Sequence, residues 1–191
     1  GMYHLLEELL THWRPEDQQL IFVGDLIDRG PNSKATVEKV RELQASHGAI
    51  CLCGNHEDML LETLTDPENY FGRYKRNGGL TTISEFLETT PSRLEDQSGQ
   101  LLSDCLKETQ PWLQAWLESL PLYTEFGNFI IVHAGVNPEV DQWQDSSRRD
   151  FVWIRERCLI RLDGQLSSAT PQLAGSMTMA RLIMFGIVRV I

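Results

Sequence analysis

Three short segments of the chain combine acidic, amide or imidazole side chains with glycines directly after an apolar run. They are the segment 24–30 (GDLIDRG), the segment 54–57 (GNHE) and the segment 133–135 (HAG). Oxygen and imidazole donors without thiolates suit ions such as manganese, iron or zinc. A pair of such ions can share a water and make it a nucleophile at neutral pH. The three segments together therefore predict metal-assisted phosphoester hydrolysis.

Each segment taken alone has a simpler explanation. Asp25 and Asp28 could be turn or capping acids, because aspartate favours both positions. His56 could be an ordinary capping or core histidine, and His133 alone is a still weaker signal. The repetition of one arrangement after three apolar runs is what favours a shared site.

Phosphoryl chemistry has two further requirements that side chains of this chain could meet. The phosphoryl charge needs cationic partners, and arginine offers two parallel hydrogen bonds to phosphate oxygens. The leaving alkoxide needs a proton, which a histidine beside a carboxylate can supply. Both residue types occur in the segments 24–30 and 54–57.

The elements that must position these segments follow from the apolar pattern. Gln19–Val23 and Ala49–Cys53 are short apolar runs typical of buried strands. A helical stripe over Tyr3–Trp13 precedes the first run, and helices beginning at Pro31 and near Glu57 follow the two runs. This alternation predicts an α/β fold with a parallel sheet covered by helices.

Convergence of the three segments depends on how their strands are oriented. In an open sheet, the carboxyl ends of parallel strands form the ligand crevice. If the three strands lie side by side in one orientation, Asp25, Asn55 and His133 meet in that crevice. The neighbouring glycines would let the backbone turn sharply there and approach a ligand closely.

The middle of the chain is predicted to be a helical insertion. Polar composition with prolines and glycines begins at about Thr65, and Pro111–Ser119 has the spacing of a further helix. We expect an insertion at about residues 65–120 within a single domain spanning residues 1–191. The run Leu122–Val132 then predicts a hairpin that turns at Gly127 and Asn128.

Composition excludes some functions. The formal net charge is −10, which argues against non-specific binding of nucleic acid or of anionic membranes. No run reaches the length of a transmembrane helix. The four cysteines have no zinc-type or disulfide-type spacing, which favours a reducing, cytoplasmic setting. Cys51 and Cys53 alternate along one apolar run and are expected to be small buried residues.

The order of the motifs GDLIDRG, GNHE and HAG resembles the phosphoprotein phosphatase group of the calcineurin-like metallophosphoesterases. Further likenesses to bacterial and phage members are NGG at residues 77–79 and VWIRER at residues 152–157. The resemblance implies a sandwich of mixed β-sheets flanked by helices. It also implies two divalent metal ions, with manganese ahead of iron or zinc.

The resemblance assigns metal ligands by position. Asp25 would be the carboxylate that bridges the two metals, and Asn55 and His133 would ligate the second metal. No other residue of the chain matches a metal ligand of the family.

The resemblance also assigns the catalytic and phosphate-binding groups. His56 would be the general acid, oriented by Asp28. Arg29 would bind the phosphate, and Arg155, in WIRER, would be the second phosphate-binding arginine. A solvated helix charge is an equally good explanation of Arg155 from the sequence alone.

The chain departs from the family pattern at both ends. The family begins with a strand that ends in Gly-Asp-x-His-Gly and supplies two ligands of the first metal, whereas this chain opens on the helix that should follow. Gly1 is then the last glycine of that motif or the scar of a cleaved tag, and His4 and His12 are poor replacements. The family also ends its core in Gly-His, whereas here Gly186 precedes Ile187. We therefore expect a fold that is incomplete at both ends, by truncation, frameshift or genuine loss, and weak metal binding.

Three functions remain open from the sequence. The first is a metal-dependent serine/threonine protein phosphatase acting on a phosphorylated protein, which GNHE together with WIRER favours. The second is a dinucleoside tetraphosphate hydrolase, a small-phosphoester enzyme with the same metal chemistry. The third is an inactive remnant or a phosphate-binding module, which the departures at the two ends suggest.

Overall fold

Strands and helices alternate from residue 3 to residue 65. The computed structural model describes residues 1–127, 129–154, 183–185 and 189–190. The elements of this first part are α1 (Tyr3–Leu10), β1 (Leu20–Phe22), α2 (Ser33–His47), β2 (Ile50–Cys51) and α3 (Asn55–Thr65). The predicted order of helix, strand, helix, strand and helix is confirmed.

The region between residues 65 and 120 contains helices, as predicted. They are α4 (Pro67–Arg76), α5 (Gly79–Phe86), α6 (Pro91–Leu94), α7 (Gly99–Thr109) and α8 (Leu113–Ser119). Local chemistry explains where two of them begin. The Asp66 side chain accepts from the Asn69 amide at the start of α4, and the Ser98 side chain accepts from the Leu101 amide at the start of α7. That the region is an insertion within one domain stays a prediction.

The last described part begins with the predicted hairpin. Its strands are β3 (Tyr123–Phe126) and β4 (Phe129–Val132), and they pair antiparallel with Tyr123 opposite Val132. Gly127 has φ +59°, a left-handed conformation that glycine adopts without steric cost. The remaining elements are a 3₁₀ helix (Trp143–Asp145), α9 (Arg148–Trp153), β5 (Ile183–Phe185) and β6 (Arg189–Val190).

The described strands form one parallel and one antiparallel sheet. The first sheet has the order β2-β1-β5, with both neighbours parallel to β1. The second has the order β3-β4-β6 and is antiparallel. β4 therefore does not lie beside β1 and β2, and the three segments cannot converge by the side-by-side arrangement that the sequence suggested. They converge because the two sheets pack face to face.

Alternating side chains of β1 and β4 explain this packing. Ile21 of β1 and Ile131 of β4 are fully buried in one apolar cluster between the sheets. Leu20 and Phe22 point the other way, into the core beneath the helices, and that core also contains Cys51 and Cys53, as expected. On the outer face of the second sheet, Ile130 and Val132 pack with Phe151 and Val152 of α9 (these four share one cluster). The result is a mixed β-sheet sandwich flanked by helices, the predicted α/β fold class.

Element boundaries differ from the predicted ones by a few residues. α1 ends at Leu10, because Thr11 turns back and its hydroxyl donates to the Glu8 carbonyl. α2 begins at Ser33, two residues after Pro31. Among the residues that the structure describes, no helix is long and apolar enough to cross a membrane.

Candidate active site

The loop that follows β1 has an unusual backbone. Gly24 has φ +89°, and three non-glycine residues, Asp25, Asp28 and Arg29, have φ values of 56°, 64° and 59°. Each non-glycine residue in this region costs about 1 kcal/mol or more and persists only where its surroundings enforce it. These three residues are among those that the sequence predicted for the site.

The Glu57 carboxylate enforces the first half of this loop. Glu57 is fully buried, and its Oε2 and Oε1 accept from the backbone amides of Asp25 and Leu26, each at 2.7 Å. Oε2 also accepts from the Gly54 amide at 3.0 Å, which is half of a capping box at the start of α3. Burial raises the pKa of Glu57, and the charge of Asp25 adds to that rise, against the opposite effect of the amide donors. Glu57 therefore joins the ends of β1 and β2.

Two glycines allow these strand ends to touch. A methyl group on Gly54 would lie 2.5 Å from the Asp25 amide nitrogen and 2.6 Å from the Glu57 carboxylate. A methyl group on Gly24 would collide with the Gly54 backbone. Only glycine fits at either position, so the sequence itself brings Asp25 next to α3.

His133, Asn55 and Asp25 lie together, as the sequence predicted. The His133 Nδ1 is 2.6 Å from the Val23 carbonyl oxygen, which can only accept, so Nδ1 carries the proton. The other ring nitrogen, Nε2, lies 3.0 Å from Asn55 Oδ1 and 3.6 Å from Asp25 Oδ1. Three acceptors that face one another are satisfied by a proton on Nε2 or by a cation.

These three donors fit a divalent metal ion. Asp25 has a 40% exposed side chain, so the cluster opens to solvent and a ligand can reach it. The carbonyl that orients His133 is the kind of second contact that fixes the ring of a metal-binding histidine. Within the described ranges, no group of three or more His, Cys, Asp and Glu side chains could hold a metal, so an amide oxygen is needed to complete this set.

Asp28 is the opposite of Asp25 in its surroundings. It is 2% exposed, and its carboxylate accepts from the Tyr74 hydroxyl at 2.9 Å, the Thr82 hydroxyl at 2.5 Å and His56 Nδ1 at 2.6 Å. Its backbone amide donates to the hydroxyls of Thr82 and Ser33 at 2.9 and 3.1 Å. Helices α4 and α5 therefore supply part of the site, a contribution that the sequence did not reveal.

His56 lies beside this buried carboxylate, as predicted. Burial opposes a charge on the ring, but the hydrogen bond with Asp28 and the negative charges of Asp25 and Asp28 outweigh it and raise the pKa of His56. Because Nδ1 donates to Asp28, Nε2 is the atom that can exchange a proton with a substrate. The pair has the form of an oriented acid–base catalyst.

The structure describes one of the two arginines that the sequence predicted for phosphate binding. Arg29 is exposed at the end of the loop, and none of the described residues forms an ion pair with it. Its side chain runs past Gly78, where a methyl group would lie 3.7 Å from Arg29 Cγ and where φ is +95°. Gly78 belongs to the NGG motif, so this motif borders the candidate phosphate site. Arg155 lies outside the described residues.

The buried residue Gly1 also contacts this loop. Its amino group donates to the Asp28 carbonyl at 3.2 Å, and burial lowers the pKa of that amino group. A methyl group on Gly1 would lie 2.5 Å from Ser33 Oγ, so glycine is the residue that this position accepts. His4 and His12, the poor replacement ligands, are both exposed.

Comparison with known proteins identifies the family of the chain. The family model for calcineurin-like phosphoesterases matches residues 1–169. The chain belongs to this family. As a calcineurin-like phosphoesterase it is expected to use divalent metal ions, and the resemblance noted in the sequence is confirmed.

Relatives within this family carry two kinds of name. A symmetrical bis(5'-nucleosyl)-tetraphosphatase of Dechloromonas aromatica (strain RCB) is 30% identical over 79% of this chain and 45% of its own length. The asymmetrical bis(5'-nucleosyl)-tetraphosphatase PrpE of Geobacillus sp. (strain WCH70) is 30% identical over 72% of this chain and 51% of its own. Serine/threonine-protein phosphatase 1 of Salmonella typhimurium (strain LT2) is 28% identical over 88% of this chain and 70% of its own. The chain thus spans about half the length of the tetraphosphatases it matches.

Proposed function

We propose that this site is the centre of a metal-dependent phosphoester hydrolase and that Asp25, Asn55 and His133 hold a divalent cation. The observation that carries the proposal is the convergence of three acceptors, with His133 Nε2 at 3.0 Å from Asn55 Oδ1 and 3.6 Å from Asp25 Oδ1. Carboxylate, amide and imidazole donors suit manganese, iron or zinc, and manganese is the first metal to test.

Bound divalent ions supply Lewis-acid stabilisation of the phosphoryl group and lower the pKa of a water near it. The chain's own residues then have separate tasks. Glu57 holds the Asp25 amide at 2.7 Å, and so fixes the carboxylate that would bridge the ions. The Val23 carbonyl holds the ring of His133 with Nε2 directed to the same place.

His56 is the proposed general acid. The leaving oxygen of a hydrolysed phosphoester gains a proton, and an imidazolium with a raised pKa can provide it near neutral pH. Asp28 fixes the orientation of the ring through Nδ1 at 2.6 Å. Tyr74 and Thr82 both donate to Asp28 and so fix the carboxylate that orients His56.

Arg29 is the proposed phosphate-binding residue. It lies one residue after Asp28 in the strained loop, is exposed and has no ion-pair partner among the described residues. A guanidinium can donate two parallel hydrogen bonds to a phosphate. We propose the same task for Arg155.

Two substrates are candidates for this site. The motif combination in the sequence favours a phosphorylated protein, and the Salmonella relative carries a protein phosphatase name. The tetraphosphatase names of other relatives favour a dinucleoside tetraphosphate. The free thiols of Cys51, Cys53 and Cys105 agree with the proposed reducing, cytoplasmic setting.

Phosphate release from p-nitrophenyl phosphate, a phosphoserine peptide and diadenosine tetraphosphate tests the proposal. We expect slow, manganese-dependent hydrolysis by the chain and its loss in the variant Asp25→Asn. Asp17→Asn, which removes an exposed carboxylate that pairs with Arg14, is the matched control. Hydrolysis that Asp25→Asn leaves intact, or no metal-dependent hydrolysis at all, would contradict the proposal, and the second result would support a phosphate-binding module.

A further inference from the structure

A second concave surface lies beside the candidate active site. It is a cleft of about 380 Å³ between α3, α4 and α9, which we call the α3–α9 cleft. Its lining includes Asp58, Leu61, Tyr70, Arg149 and Trp153. This volume lies within the range of small-molecule sites, about 300–1,000 Å³.

The cleft and the candidate active site share their framework. Asn55, Asp58 and Glu62 are spaced by three and four residues along α3, so they lie on one face of the helix. The first belongs to the metal site, and the other two line the cleft. The cleft therefore begins about one helical turn, or about 5 Å, beyond the proposed metal ligand Asn55.

Helix α9 is a second structural link, besides α3, between the candidate active site and the α3–α9 cleft. Arg148 Nε donates to Asp58 Oδ1 at 2.5 Å and so holds α9 against α3. The amide of Ala134, which directly follows His133, donates to the Phe151 carbonyl of α9 at 2.8 Å. A substrate bound at His133 and Asn55 therefore has the cleft as its immediate neighbour.

The walls of the cleft are suited to an aromatic ring. Tyr70 is 36% exposed, which makes it one of the few large apolar side chains of the described residues that face solvent. Leu61 and Trp153 are half-buried and form the rest of the apolar wall. The guanidinium of Arg73 lies 4.4 Å from the centre of the Trp153 ring and holds it in place.

Two ion pairs use four of the six charged side chains that line the cleft. Asp58 pairs with Arg148 and Glu62 pairs with Arg73. The Asp66 carboxylate is used at the start of α4, where it accepts from the amide and the side chain of Asn69. Arg149 is exposed, and it is the lining cation without an ion pair among the described residues.

We propose that the α3–α9 cleft binds the nucleoside diphosphate portion of the substrate, with its base against Tyr70 and its phosphates at Arg149. An apolar aromatic wall beside one unpaired arginine matches a ring that carries an anionic chain. A cleft of about 380 Å³ holds one base with its phosphates more readily than an extended peptide. The assignment rests on the proposed hydrolase function, and it selects the dinucleoside polyphosphate as the substrate.

Calorimetric titration of ADP into the metal-free chain, in buffer with a chelator, tests the cleft separately from hydrolysis. We expect ADP to bind the unmodified chain, and Arg149→Ala to weaken ADP and pyrophosphate about ten-fold, which is about 1.4 kcal/mol. Tyr70→Ala should weaken ADP to a similar extent and leave pyrophosphate unchanged. Arg93→Ala removes an exposed arginine of α6 that does not line the cleft. It is the matched control and should change neither affinity.

Several results would overturn the assignment. ADP that fails to bind at millimolar concentration, or that binds equally well to Arg149→Ala and Tyr70→Ala, would do so. So would a phosphoserine peptide that binds more tightly than ADP and is weakened by Arg149→Ala, because the cleft would then serve a phosphoprotein. Since no metal is present, ADP binding that depends on Arg149 would support the cleft even if the chain proved unable to hydrolyse any substrate.

Discussion

Asp25 and Asp28 occupy the same short loop in the same left-handed backbone conformation, yet their carboxylates have opposite surroundings. Asp28 is 2% exposed and accepts from Tyr74, Thr82 and His56. Asp25 has a 40% exposed side chain; the His56 amide donates to its Oδ1 at 3.3 Å, and the His133 ring lies 3.6 Å from the same atom.

The difference shows how the chain divides structural and chemical tasks. Asp28 is satisfied by donors of the protein itself, so its position is fixed before any ligand binds. Asp25 accepts one hydrogen bond from the described residues, that of the His56 amide, and its carboxylate is otherwise open to solvent, so a cation can complete its surroundings. Substitutions at the two positions should therefore separate folding from binding.

The largest expected effect comes from removing the group that holds the loop in place. Glu57→Ala leaves the buried amides of Gly54, Asp25 and Leu26 without their acceptor, and it should lower the free energy of unfolding by roughly 3 kcal/mol. Urea denaturation followed by circular dichroism measures this change. Glu42→Ala, at an exposed residue paired with Lys39, is the control, and equal effects of the two variants would show that Glu57 does not hold the loop.

The substitution of each aspartate by asparagine tests the comparison itself. Asp28→Asn places an amide against donors that need an acceptor, and it should lower the free energy of unfolding by about 2 kcal/mol. Asp25→Asn should leave stability nearly unchanged, because the side chain is half-exposed and asparagine tolerates a positive φ. Urea denaturation in metal-free buffer would measure both changes in unfolding free energy.

The stabilities of these two variants decide whether Asp25 and Asp28 have different roles. If Asp25→Asn destabilised the chain as much as Asp28→Asn, then Asp25 would be a structural residue of the loop. Its role as a ligand would then lose its physical basis.

The smallest expected effect concerns a single hydroxyl group. Tyr74→Phe removes one of three donors to the Asp28 carboxylate and should cost about 1 kcal/mol of unfolding free energy. Tyr123→Phe removes a hydroxyl from an exposed strand residue and is the control. A Tyr74→Phe variant as stable as that control would mean that α4 does not support the site through this contact.

Sequence patterns predicted most of the fold, because the apolar runs and the helical spacing are local signals. The strands at Leu20–Phe22 and Ile50–Cys51 and the hairpin around Gly127 lie where the patterns placed them. The assignment of strands to sheets could not be read from the sequence. It depends on which faces pack, and Ile21 and Ile131, which share one buried cluster, are more than a hundred positions apart.

Part of the candidate site was also predictable, because its motifs are local signals in the sequence. The proximity of Asp25, Asn55 and His133 follows from motifs whose residue types already suggest chemistry. Tyr74 and Thr82 carry no such signal, since a tyrosine and a threonine on helices usually serve packing. Glu57 did carry a sequence signal, because a glutamate at the third position of a helix can accept a hydrogen bond from a backbone amide just before that helix.

Calorimetric titration of manganese into the chain tests the central claim most directly. The account predicts weak binding at a single site that Asp25→Asn and His133→Ala abolish and that the surface variant Asp17→Asn leaves unchanged. Two tight sites, or an affinity that neither of the first two variants alters, would contradict the assignment of Asp25, Asn55 and His133 as the ligands.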